Sequence, residues 1–147
     1  MQIKLSKLQS LGNFITAYLN NTDVPVKFAY AMAKNQNKID RELKPIAAAS
    51  KALSDFMKKK VDLCNKYADK DEKGKPMVVN NTYVGVDTSI EFRKQFDVLQ
   101  EEYAAPLKDM EDLMESEVEI EFHMIPLKDF PEKIPGMSIL FPLVKEN

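Results

Sequence analysis

Few side chains in this chain of 147 residues have the chemistry to act on a ligand. His123 is the only histidine, and it shares the polar side of "EVEIEFHM" with Glu119 and Glu121. A zinc site needs several nitrogen or sulfur ligands at spacings such as Cys-x-x-Cys or His-Glu-x-x-His, and neither spacing occurs. Cys64 is the only cysteine. A nucleophilic thiolate needs exposure and a neighbouring base, whereas Cys64 falls on an apolar stripe, where it reads as a small packing residue. Glu111 and Glu115 share one helix face, but the Glu-x-x-His motif that would complete a carboxylate metal site is absent. Their expected neighbours are Lys51, Lys58 or Lys59 across the fold, or water. The chain's four glycines form no G-x-G-x-x-G or G-x-x-x-x-G-K run, so no phosphate cradle is expected. These patterns predict no catalytic residue, no metal and no cofactor, and hence not an enzyme.

The recognition-type residues concentrate between 69 and 88. "DKDEKGKP" places Lys70, Lys73 and Lys75 before the stretch "VVNNTYVGV". Asn-Asn-Thr, at Asn20–Thr22 and again at Asn80–Thr82, formally matches a glycosylation acceptor. A single cysteine and no signal-like start suggest a reducing cytoplasm instead, where neither copy would be modified. Asparagine pairs accept the positive dihedrals of tight hairpin turns, so Met77–Val79 and Tyr83–Val86 are expected as short strands around Asn80-Asn81-Thr82. Asn80, Asn81, Thr82, Tyr83, Lys73, Lys75, Glu111 and Glu115 are the candidate partner contacts. Lys58–Lys60 and the loop lysines could touch nucleic acid, but aspartates interrupt them and stacking aromatics are missing nearby. The net charge of −2 adds no general attraction to phosphates. No apolar run approaches the roughly 20 residues of a membrane span.

These candidates need a scaffold. Met1–Leu5 alternates like a half-buried strand, and Leu8, Leu11, Ile15, Tyr18 and Leu19 then mark a helix, with Ser6 as its cap and Gly12 as a weak point. Thr22 or Asp23 is expected to cap the next helix, with Pro25 in its first turn. Phe28, Met32, Asn35, Ile39, Leu43, Ile46, Ser50, Leu53, Met57, Lys60, Cys64 and Tyr67 follow a heptad, with a kink or break near Leu43 and Lys44 before Pro45. After Thr88 or Ser89 as cap, a second heptad runs through Phe92, Phe96, Leu99, Tyr103, Pro106, Met110 and Leu113. Polar Asn35 and Ser50 either set the register of the seam or face solvent. Glu117–Met124 alternates as a strand, with Met1–Leu5 as its candidate neighbour. Met137–Val144 looks like apolar turns docking on that base. The expected fold is α+β and mostly α, in a single domain. It comprises a long antiparallel, coiled-coil-like helical hairpin (25–68 and 89–116), a β-hairpin tip (69–88) and a small sheet at the base (1–24 and 117–147).

The segments "AYAMAKNQNKIDRELKPI", "CNKYADKDEKGKP", "EFRKQFDVLQEEY" and "EVEIEFHMIPLKDFPE" resemble a family of short, uncharacterised proteins encoded in bacteriophage and prophage genomes. The similarity covers most of the chain, and "KDEKGKP" and "PLKDFPE" are its telling parts. It carries over no catalytic residues. It implies a viral protein in the host cytoplasm or the virion. Combined with the scaffold, the expected role is a non-enzymatic interaction protein, either a virion or assembly component or an inhibitor of a host defence protein. Its partner would be another protein, with a homo-oligomer possible and no membrane. The alternative is a small nucleic-acid accessory factor using the lysines of the tip.

Overall fold

Alternation gives way to helical spacing within the first five residues, and the backbone follows. The computed structural model describes residues 1–20, 24–134 and 136–145. In it β1 (Gln2–Lys4) runs directly into α1 (Leu5–Leu19). Ser6 is therefore inside the helix and not its cap; Lys4 takes that place without a capping bond from its side chain. The carbonyl of Ser116 instead accepts the Leu5 N–H at 3.0 Å. The caps expected at Thr22 and Asp23 lie outside the described residues. α2 (Val26–Ser50) follows, with the Pro25 carbonyl accepting the Ala29 N–H, so Pro25 precedes the helix. Pro45 sits inside α2 without ending it. The carbonyl freed by its missing N–H belongs to exposed Arg41, where water can satisfy it.

The interruption comes later, as a 3₁₀ turn at Lys51–Leu53 that leads into α3 (Ser54–Tyr67). Three residues at three per turn instead of 3.6 advance the apolar stripe by about 60°. Phe56 is accordingly buried, while Met57, expected on the seam, is 52% exposed. The hairpin β2 (Val78–Val79) and β3 (Thr82–Tyr83) precedes α4 (Ile90–Glu102), which Ser89 caps by accepting the Phe92 N–H at 3.1 Å. α4 stops at Tyr103 and α5 (Ala104–Glu115) begins after it, since Pro106 offers no donor to the Glu102 carbonyl. β4 (Glu117–Glu119), β5 (Ile125–Pro126), a 3₁₀ helix at Met137–Leu143 and β6 (Val144–Lys145) complete the described chain.

The molecule is mostly helical with small two-stranded sheets. Its contacts divide into two compact units, one formed by Met1–Ala47 with Asp112–Asn147 and the other by Ala48–Glu111.

In the first unit β1 pairs antiparallel with β4 in the register Ile3↔Val118, and Ile120 N–H extends the ladder to the Met1 carbonyl at 2.9 Å. The expected strand neighbours are therefore real, although β4 is shorter than Glu117–Met124. Inward alternation persists through buried Ile120 and Phe122, then reverses: Met124 is exposed and Ile125 buried, as Ile125 enters a parallel pairing with Val144. Leu140 and Leu143 of the 3₁₀ helix are fully buried. The stripe of α2 from Phe28 to Ile39 packs within this unit. The Phe28 ring meets those of Tyr18 and Phe130 at 5.7 and 5.1 Å. A Cβ on Gly12 would lie 2.9 Å from Cγ2 of Ile39, so the apparent weak point of α1 is what lets α2 approach this closely.

Asn35 resolves its own ambiguity. Its side chain is fully buried, its Nδ2 donates to the His123 carbonyl at 2.9 Å, and its Oδ1 accepts the His123 N–H at 2.7 Å. One amide thus replaces the strand neighbour that residue 123 lacks. His123 is half-buried, not solvated on an open polar face as the alternation suggested. Ser50 is exposed.

In the second unit α3 and α4 lie side by side. Phe56 packs on Phe96 and Tyr103, whereas Tyr67 packs on Phe92, so later residues of one helix meet earlier residues of the other. Leu99 of α4 is buried as well. Lys59 donates to Glu102 at 2.9 Å along the exposed edge.

Candidate interaction site

At the end of α3, Ala68 turns extended and the lysine-rich loop begins. Its order comes from Asp71: one carboxylate oxygen accepts the N–H groups of Lys73 and Lys75 at 2.9 and 2.8 Å, and the Asp71 N–H is taken by the Lys75 carbonyl. Gly74 supplies the left-handed residue at φ 75° that closes this loop. The backbone of Asp69 is then inserted at the root of the hairpin. Its N–H goes to the Val84 carbonyl at 2.9 Å, and its carbonyl accepts the Met77 N–H at 2.8 Å.

The hairpin has Val79↔Thr82 as its last pair, leaving Asn80 and Asn81 as a two-residue turn with φ of 49° and 60°. That is the geometry in which both residues are left-handed and asparagine is favoured. Thr82 therefore belongs to the strand and not to the turn. After Tyr83, Gly85 takes φ 86°, and a Cβ there would run into the Asp69 carboxylate. Cys64, Ala68 and Val86 form the small core beneath, with Tyr67, Tyr83 and Phe92 packed on it. Burial pushes the Cys64 thiol above its ordinary pKa, against a smaller opposing effect of Lys60. That keeps it a packing group.

Beside β3 an open cleft of ≈ 360 Å³ is bounded by Asn81, Thr82 and Tyr83 on one side and by Lys60, Cys64, Asp87, Phe92 and Phe96 on the other. The Phe92 and Phe96 rings stack at 5.6 Å, and the Lys60 ammonium lies 5.6 Å from the Phe96 ring centre.

The structure brings Asn80, Asn81, Thr82 and Tyr83 together with Lys73 and Lys75 on the hairpin and its loop; all are exposed except Tyr83, which is half-buried. Glu111 and Glu115 do not meet the lysines expected for them. Glu111 is exposed on α5 and makes no ion pair among the described residues. Glu115 belongs to the first unit, where Lys4 donates to it at 2.5 Å; this hydrogen bond, more than the charge itself, raises the Lys4 pKa. Lys59, one of the expected partners, is held by Glu102, and that bond likewise raises its pKa.

Asp87, Phe92 and Phe96 went unnoticed as site residues, and Lys60 was weighed only as a nucleic-acid contact. The signal was there in two phenylalanines one helical turn apart, facing a lysine and a small cysteine where the heptad asks for bulk. Among the described residues no three His, Cys, Asp or Glu side chains gather where they could hold a metal ion, and no helix is long and apolar enough to cross a membrane. Compared with known proteins, the chain matches no family model, no curated protein and no solved structure.

Proposed function

We propose that this is a non-enzymatic interaction protein that engages another protein through the Met77–Tyr83 hairpin and the cleft beside it. The observation that carries the reading is an apolar tip on a specified framework. Met77, Val78 and Val79 are 39%, 50% and 55% exposed, yet the backbone bearing them is fixed by the Asp71 loop, the inserted Asp69 and two consecutive left-handed asparagines. A connector alone would have no need to hold apolar side chains in water. In this reading α3 and α4 act as a stiff antiparallel arm that presents the tip. The resemblance of the four quoted segments to phage and prophage proteins supports a viral setting, in the host cytoplasm or virion, as an assembly component or an inhibitor of a host defence protein.

The test is site-specific photo-cross-linking in infected cells. A photoreactive residue at Asn81 should capture a discrete protein, in high salt and after nuclease, while one at Ser10 in the first unit should not. Equal capture from both positions refutes the reading. Capture of nucleic acid at Asn81, lost in high salt, would assign the lysine loop to phosphate binding instead.

A further inference from the structure

Resting on that reading, we infer that the outer edge of β3 accepts an extended segment of the partner as an added strand, which lays an apolar side chain into the cleft and an acidic one near Lys60. The ladder itself supplies the argument. Val84 N–H bonds to the Met77 carbonyl at 3.0 Å, and the turn closes at the Val79↔Thr82 pair. Because hydrogen-bonded and non-bonded pairs alternate in an antiparallel ladder, Val78 and Tyr83 form a non-bonded pair. Their N–H and C=O groups therefore point away from each other, along the two outer edges. A sheet of two strands, each two residues long, cannot satisfy those groups itself.

The two edges differ. β3 borders the cleft that Thr82 and Tyr83 line, whose far wall is the stacked pair Phe92 and Phe96. A strand laid along β3 would gain the free N–H and C=O of Tyr83. Every second side chain would turn toward the aromatic wall, which is how strand addition combines backbone affinity with pocket specificity. Lys60 is the cation of this cleft, and Arg93, next after Phe92 in α4, lines the hollow adjoining it. Asp87 offsets one of them, and its backbone carbonyl already accepts from Arg93 at 3.3 Å. A carboxylate on the incoming strand answers the remaining charge. A second copy of the same hairpin is a poorer occupant, because each would bring its own Lys70, Lys73 and Lys75 to the contact.

The experiment uses the full chain, labelled with nitrogen-15, and acetylated, amidated pentapeptides as probes: Glu-Val-Phe-Val-Glu, its lysine-flanked counterpart, and a series of the acidic peptide N-methylated at one position at a time. Strand addition predicts saturable shifts at the Thr82, Tyr83 and Phe92 amides and slowed exchange of the Tyr83 N–H. It also predicts an alternating response to N-methylation, one set of positions tolerated and the other weakening binding at least about tenfold, the scale of a lost backbone hydrogen bond. The lysine-flanked peptide should bind several-fold more weakly, and Lys60→Glu should reverse that order. No saturable binding at millimolar peptide, or weakening that does not alternate, overturns strand addition. If Asn81 still cross-links its partner after that result, the tip remains the contact surface and only its mode is wrong; if both fail, the functional reading falls as well.

Discussion

The two compact units are built to different standards. Every large side chain with less than 2% exposure belongs to the first: Phe28, Leu8, Leu11, Ile15, Met32, Ile39, Ile125, Leu140, Leu143 and Asn35. The core of the second, Phe56, Cys64, Ala68, Val86 and Leu99, is exposed by 4–8% throughout, and its hairpin carries valines half in water. The first unit therefore has the dense interior that fixes one arrangement, while the second is held by layered aromatic rings and a few committed turns. Binding surfaces are drawn from the less stable parts of proteins, since a surface that must receive a partner cannot also be buried.

Substitutions can break that contrast. Phe28→Ala should destabilise the fold by about 4–5 kcal/mol, whereas Phe56→Ala should lose about 3 or less. Equal losses, measured by denaturant unfolding, would mean that the second unit is as tightly packed as the first. Asn35→Ala strands the N–H and C=O of His123 in the interior and should cost about 2–3 kcal/mol, with rapid hydrogen exchange appearing at the His123 amide. Unchanged exchange there would show that the clamp contributes nothing. Ser89→Ala removes the cap of α4 and should cost about 1 kcal/mol, which is worth looking for because the second unit has less to lose.

A subtler test uses pH. Burial raises the folded-state pKa of Cys64, so its contribution to stability is intact below the ordinary thiol pKa and is lost as pH rises through the folded one. Between pH 8 and 10 the Tm of the protein should therefore fall more steeply than that of Cys64→Ala; identical slopes would mean the thiol is well solvated. The smallest effect belongs to Glu102→Gln. Its partnership with Lys59 is exposed on both sides, and the Tm should not change measurably.

Much of the fold was legible because the relevant signals are local. The two-residue periodicity at Ile3 and Val118 marked strands that do pair, Ser89 announced a helix start, and two asparagines announced a tight turn. What escaped depended on contacts distant in sequence. A glycine in α1 looks like a defect until Ile39 is placed against it, and Ser6 looks like a cap until Ser116 supplies the acceptor. The register change at Lys51–Leu53 has no strong sequence mark, yet it decides between Phe56 and Met57. The site divided the same way: its hairpin is written in consecutive residues, while its cleft exists only where Lys60 on α3 faces Phe92 and Phe96 on α4. Glu111 and Glu115 were grouped by spacing, which says nothing of the Lys4 that α1 follows.

The second unit is one uninterrupted stretch of chain, whereas the first is assembled from segments on either side of it. During synthesis residues 48–111 can therefore collapse on their own as they leave the ribosome, while β1 and Asn35 must wait for Val118 and His123 to emerge. Until then α1 and α2 carry an apolar face without its cover. A nascent chain stalled after α5 would thus display a finished hairpin on a half-finished body, and proteolysis of such stalled chains would cut the early helices before the tip.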